Sequence, residues 1–119
     1  MKFEEYFWHD SEIRRIEIDR TCPGKKDAIL FEINWIDTGL GNLIFEDVYW
    51  ASINMNFGIL APECIDSAFI SENDDDLNSF FKKWGGQIDD IELFCYTIKT
   101  ISTGSEMKII AKGFKVIYE

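Results

Sequence analysis

DAILFEINWIDTGLGNLIFEDVYW, residues 27–50, has the pattern of two strands joined by a tight turn. Its first half places apolar side chains at every second position, namely Ile29, Phe31, Ile33 and Trp35. That period puts them on one face of a strand and the intervening polar residues on the other. The glycine-rich DTGLGN between the halves favours a turn. The stretch therefore predicts a β-hairpin, the unit from which antiparallel sheets are built.

Two strand segments change phase partway along. In EIRRIEID, Ile13 is out of phase with Ile16, and one extra residue at 14–15 restores the alternation. A second phase change is expected at 46–47, after which alternation resumes in SINMNF, residues 52–57. Both irregularities predict bulged strands.

One segment has the pattern of an amphipathic helix. In NDDDLNSFFKKWGG, the spacing i, i+3, i+4 and i+7 forms an apolar stripe from Leu77, Phe80, Phe81 and Trp84. Asn73 or Asp74 is positioned as the N-cap, and two glycines follow as a stop signal. We predict the main helix at about 74–84, with Trp84 on its buried face.

Two apolar strands, within 88–101 and 105–119, flank the turn at 102–105 and have apolar residues on both faces. Such strands are covered on both sides, one cover being the helix or a second sheet. The sequence predicts an α+β fold with a mainly antiparallel sheet of roughly six strands and one main helix. We expect a single globular domain over residues 1–119. A β-sandwich with a helix in a crossover is the alternative arrangement.

Composition and charge argue against several classes of function. The net charge of −10 argues against nucleic acid as a ligand. No apolar run approaches the ~18 residues that a membrane span requires, and the first residues lack a signal-peptide pattern, so a cytoplasmic location is expected. Three distant cysteines, Cys22, Cys64 and Cys95, predict neither a disulfide framework nor a zinc motif.

No residue set stands out as catalytic. His9-Asp10-Ser11 contains the residue types of a nucleophilic triad, but three consecutive side chains project in different directions. We expect Asp10 or Ser11 to cap backbone groups at the entry to the first strand. The aspartates at 74–76 lack the alternate spacing of a calcium loop, and no phosphate-binding glycine motif occurs. The sequence therefore predicts no catalytic residue, no metal and no cofactor.

Acidic residues are concentrated in the middle of the chain. Residues 63–92 contain 9 acidic and 2 basic side chains. This excess is greater than helix capping requires and favours a protein partner with a basic surface, with plain solubility as the alternative. The predicted partner-binding residues flank the helix: Asp74, Asp75, Asp76, Asp89, Asp90 and Glu92. Trp50 and Trp84 are candidate interface anchors, although the position of Trp84 on the stripe favours the core.

Two other functions remain open from sequence alone. A small-molecule-binding or enzymatic domain predicts a deep pocket near His9, or near Asn54 and Asn56. An accessory domain of an assembly would pair through an exposed sheet edge. The oligomeric state is left open.

The segment HDSEIRRIEID resembles the opening of small bacterial immunity proteins of polymorphic toxin systems, with His9, Asp10, Ser11, Ile13 and Ile16 carrying the likeness. The segments LIFEDVYW and ECIDSAFI fit the same layout. The resemblance implies a non-enzymatic β-rich protein that binds and neutralises a cognate toxin. Nuclease toxins are typically basic, which suits an acidic inhibitor. Immunity proteins share no fixed contact motif, so no contact residue is transferred.

Overall fold

The computed structural model describes residues 2–71, 74–85 and 91–119. Six strands are formed: β1 (Glu12–Cys22), β2 (Lys26–Trp35), β3 (Gly39–Asn54), β4 (Glu63–Ser71), β5 (Phe94–Thr100) and β6 (Glu106–Tyr118). A 3₁₀ turn at Phe3–Glu5 precedes β1, and helix α1 (Asp75–Lys83) lies between β4 and β5.

The six strands close into one antiparallel barrel in the order β1-β2-β3-β6-β5-β4. The predicted set of six mainly antiparallel strands with one helix is confirmed, and the strands form this closed barrel rather than the alternative sandwich. Closure depends on a short seam between β1 and β4, where Glu12 pairs with Cys64 and Ile13 with Glu63.

The strands differ from the predicted ones in one region. Residues 43–50 and 52–54 belong to the single long strand β3, which ends at Asn54, so the end of the segment 52–57 is not part of a strand. Phe57, expected on the apolar face of a strand, is 83% exposed in the loop that follows. The sixth strand is β4, whose side chains are nearly all half-buried, so no clear alternation marks it in the sequence.

Both predicted phase changes correspond to register shifts. In β1 the pairing with β2 shifts between Ile13 and Arg15, as expected. In β3 the pairing with β6 shifts between Val48 and Trp50, next to Asp47, whose φ of 53° is left-handed. The extra residue turns Tyr49 and Trp50 out of the barrel and toward the helix.

The barrel interior is filled by side chains. Inward positions of β2 and β3 supply Ile29, Phe31, Ile33, Trp35, Leu43 and Phe45, all buried. The segment before β1 adds two buried aromatic rings, those of Phe3 and Trp8, whose centroids lie 4.6 Å apart. Trp8 also contacts Trp35 at the end of β2, at 4.9 Å between centroids. The N-terminal aromatic residues therefore cover this end of the barrel.

Helix α1 packs on the outside of the barrel. A second apolar cluster joins Leu77 and Phe80 to Cys95 and Ile110 on β5 and β6, as well as Leu93. The predicted two-sided cover of these strands is confirmed. The prediction that Trp84 is a core residue is wrong: the helix ends at Lys83, and Trp84, at its C-cap, is 43% exposed.

Candidate functional site

The structure brings three of the six predicted binding residues to one end of α1. Asp74 is the N-cap, and Asp75 and Asp76 occupy the first turn. Glu92 is exposed just before β5. Asp89 and Asp90 lie outside the described residues.

Two of these aspartates have a structural role. The Asp74 carboxylate accepts a hydrogen bond of 2.8 Å from the Asp76 backbone N–H. Lys108 Nζ of β6 lies 3.3 Å from Asp74 Oδ2 and 2.9 Å from Asp76 Oδ2. Asp75 is exposed and makes no ion pair with any described residue. The acidic character available to a partner at this helix end therefore rests chiefly on Asp75.

The same contacts set the ionisation of the pair. Burial raises the pKa of Asp74, but the hydrogen bond from Asp76 N–H and the Lys108 ammonium outweigh it and leave that pKa below its ordinary value. The hydrogen bond to Asp76 is the largest cause that raises the pKa of Lys108, and the Asp74 contact adds to it. Both groups are charged at neutral pH.

An aromatic groove lies beside α1. It encloses about 440 Å³, and its walls include Tyr49, Trp50, Phe80 and Trp84. The ring of Phe80 lies 6.0 Å from that of Trp84 and 6.2 Å from that of Tyr49, between centroids. We call the groove, with Trp84, Asp75 and Glu92, the helix surface.

Cations border this groove as well. A neighbouring depression of about 370 Å³ shares Tyr49 and Trp84 and includes Lys25 and Lys112. Lys83 lines the groove itself. Asp75 thus lies at the start of α1, whereas Lys83 lies at its end, where Trp84 also borders the depression that includes Lys112.

Sequence reasoning missed Tyr49 as a groove residue. Its signal is the phase change predicted at 46–47, because the register shift that follows, between Val48 and Trp50, turns the aromatic residues there outward. The exposure of Trp84 was missed for another reason. The helix ends at Lys83, so Trp84 follows the last helical residue and is only partly covered by the neighbouring residues of β3 and β6.

The structural role predicted for His9-Asp10-Ser11 is confirmed. Ser11 is fully buried, and its Oγ donates to Phe7 O at 2.6 Å and accepts from Ile36 N–H at 3.0 Å. His9 Nδ1 lies 3.1 Å from the carbonyl oxygen of Asp66. Both hydrogen bonds of Ser11 Oγ serve the backbone, and no nucleophile-base contact forms.

The three cysteines are free. Cys22 is exposed and Cys64 is half-buried, whereas Cys95 is buried beneath α1. Burial is the main cause that raises the pKa of the Cys95 thiol to about 11. Burial also raises the pKa of Cys64, with further contributions from the carboxylates of Glu12, Asp10 and Glu63.

Two further features were sought in the described parts of the chain. Among residues 2–71, 74–85 and 91–119, no group of three or more His, Cys, Asp or Glu side chains is arranged to hold a metal ion. None of the helices in those ranges is both long and apolar enough to cross a membrane. Five of the depressions on the described surface have walls that do not include His9, Asn54 or Asn56.

The structural class is thus a closed six-stranded antiparallel barrel with one helix packed outside it. No protein-family model matches the chain, and a search of curated proteins gives no significant match.

Proposed function

We propose that this protein is a non-enzymatic protein-binding domain and that its helix surface binds a partner with a basic surface. The observation that carries the proposal is Trp84, 43% exposed at the edge of a groove walled by other aromatic side chains. Tryptophans in such positions supply much of the binding energy of protein interfaces, because a partner removes a large aromatic surface from water.

Charge supports the chemistry of the partner. The chain has a net charge of −10, and Asp75 and Glu92 are exposed without ion pairs to described residues. Unpaired carboxylates attract basic surfaces over a Debye length and orient them on approach. Trp84 would supply the affinity, and the carboxylates the rate of association.

The resemblance of the HDSEIRRIEID segment to immunity proteins makes the proposal more specific. Under it, the partner is a cognate toxin, and a basic nuclease-like toxin suits the charge. The domain would then inhibit by covering the toxin surface that binds its own substrate.

The test uses the purified product of a neighbouring toxin-like gene and the full chain. Wild type should bind it and protect cells that express it. Trp84→Ala should weaken affinity at least about tenfold, mainly through faster dissociation. The double variant Asp75→Asn/Glu92→Gln should slow association and flatten its dependence on salt.

Two matched variants serve as controls. Ile36 is 62% exposed just after β2 and does not line the groove or the depressions beside it, so Ile36→Ala removes an exposed apolar side chain elsewhere and should leave affinity unchanged. Asp37→Asn removes an exposed carboxylate from the β2–β3 turn and should leave association unchanged. Binding by wild type that Trp84→Ala does not weaken would reject the helix surface. Absence of both binding and protection would reject the immunity function.

A further inference from the structure

The loop between β3 and β4 exposes an unusual amount of apolar surface. Phe57 is 83% exposed, Ile59 is 50% exposed and Leu60 is 105% exposed. Exposing one large apolar side chain is common, but three within four residues concentrate apolar surface in one loop, and such concentrations mark interaction sites. We call residues 55–62 the apolar loop.

Hydrogen bonds hold both ends of this loop. The Asn56 backbone N–H donates to Ser105 Oγ at 3.1 Å, and its Nδ2 donates to Thr103 O at 2.8 Å. At the other end, Cys64 N–H donates to Pro62 O at 3.0 Å. The loop is therefore anchored to the β5–β6 turn and to β4, and Met55 packs against the core, while Phe57, Ile59 and Leu60 are exposed.

The neighbouring turn extends the apolar patch. Ile101 is 50% exposed, and its backbone N–H donates to Cys64 O at 2.8 Å. This bond places Ile101 beside the end of the apolar loop, at the start of β4. Loop and turn thus contribute to one surface.

Carboxylates border that surface along the β1–β4 seam. Glu12 pairs with Cys64 across the seam, and Glu63 follows the loop directly. Asp10 joins them through its N–H, which donates to Ile65 O at 2.9 Å. Burial and then the carboxylates of Glu12, Asp10 and Glu63 raise the pKa of the half-buried Cys64 thiol. We call Asp10, Glu12 and Glu63 the acidic rim.

The basic side chains near the acidic rim do not neutralise its negative charge. Arg15 is engaged by Glu17 at 2.9 Å and Glu32 at 3.5 Å. The exposed Arg14 is the remaining arginine of this part of β1. His9 lies 3.7 Å from Asp10, and both side chains are largely exposed.

We propose that the apolar loop and the acidic rim form a second docking surface, which binds an amphipathic segment of a protein partner bearing large apolar side chains together with lysine or arginine. The apolar residues would bury against Phe57 and Leu60, and the cations would pair with the rim. The surface shares no residue with the helix surface, so the inference stands independently of the function proposed above.

Charge distinguishes this occupant from two others. A second copy of the chain would bring two acidic rims together, and like charges oppose that contact. An anionic lipid surface is repelled by the same carboxylates. A cationic amphipathic segment satisfies both the apolar loop and the rim.

The experiment measures binding of two labelled synthetic peptides to the full chain by fluorescence anisotropy. Both peptides have the same amphipathic leucine pattern, and their polar positions are all lysine in one and all glutamate in the other. The lysine peptide should bind and the glutamate peptide should not. Phe57→Ser/Leu60→Ser should lower affinity for the lysine peptide at least about tenfold. Glu12→Gln/Glu63→Gln should lower it several-fold and flatten its salt dependence.

Controls separate this surface from the other one. Trp84→Ala and Ile18→Ser should leave peptide affinity unchanged. Sedimentation and binding to vesicles of phosphatidylcholine with phosphatidylglycerol are measured on wild type and on Phe57→Ser/Leu60→Ser. Equal affinity for both peptides, or no loss in the loop variant, would overturn the proposal. The proposal would also be overturned if the lysine peptide failed to bind and the loop variant lost a dimerisation or vesicle binding that wild type shows.

Discussion

Lys108 of β6 and Asp76 of α1 form an ion pair of 2.9 Å between Nζ and Oδ2. The same ammonium lies 3.3 Å from Asp74, the residue that caps the helix. One lysine on the barrel therefore fixes the position at which the helix begins. The helix is attached at this end by charge and along its length by Leu77 and Phe80.

Replacing that lysine tests the attachment. Lys108→Met should lower the free energy of unfolding by about 1 kcal/mol, the upper end for exposed pairs. The reason is that the side chains of Lys108 and Asp74 are only 23% and 17% exposed. Lys99→Met is the matched control, because its 3.7 Å pair with Glu106 is about half exposed. Urea unfolding measures both, and equal losses would contradict a special role for Lys108.

Asp74 makes the free energy of unfolding depend on pH in the acidic range. The pKa of Asp74 is lower in the folded state than in the unfolded state, where it is about 4. The ionised carboxylate therefore stabilises the fold above about pH 4, and this stabilisation is lost as pH falls through the lower folded pKa. Asp74→Asn retains a capping side chain and removes the charge. The stability difference between wild type and this variant should be constant from about pH 5 to 8 and shrink below about pH 4. Urea unfolding across that range checks it, and a constant difference down to about pH 2 would refute it.

The thiols report helix opening. With an aromatic disulfide reagent at pH 8, the exposed Cys22 should react first and Cys64 more slowly. Cys95 should react only when α1 opens, because it is buried beneath the helix and its pKa is raised to about 11. Lys108→Met should speed the reaction of Cys95 and leave that of Cys22 unchanged. Immediate reaction of all three thiols in the native protein would show that the helix does not cover Cys95.

Ser11 is expected to matter for stability and not for chemistry. Ser11→Ala removes the hydroxyl that bridges Phe7 O and Ile36 N–H, which leaves two backbone groups without this partner. The cost should be about 1–3 kcal/mol in urea unfolding. Ser52 is exposed on β3, so Ser52→Ala should stay within about 0.5 kcal/mol of wild type. If Ser11→Ala left the free energy of unfolding unchanged, water would have replaced the hydroxyl.

The features that sequence could predict depend on neighbours along the chain. Alternation in β2 and the i, i+3, i+4 spacing in α1 are properties of one element, and each appears in the printed letters. The bulge at 14–15 is also a property of one element, because the change of phase in the apolar alternation is visible within the sequence of β1 itself. The two-faced strands β5 and β6 predicted a cover on each side.

The features that escaped prediction depend on residues far apart in sequence. Nothing near Asp76 indicates that Lys108 will neutralise it, since the two meet only when β6 and α1 pack together. Strand β4 lacks clear alternation because half-buried side chains line both of its faces. The barrel closes through pairs between β1 and β4, whose segments contain no local sign of that partnership.

The short β1–β4 seam has a consequence for the order of folding. Its two residue pairs join segments about fifty positions apart, whereas β2 pairs with β3, and β5 with β6, across short turns. Hairpins with short turns form early, because closing a short loop costs little conformational entropy. Contacts across long loops form later. Strands β3 and β6 pair across a still longer separation, but they do so through twelve residue pairs. Closure at the two-pair seam would then be the last step of assembly, and the chain would pass through an open, curled sheet whose two edges are β1 and β4.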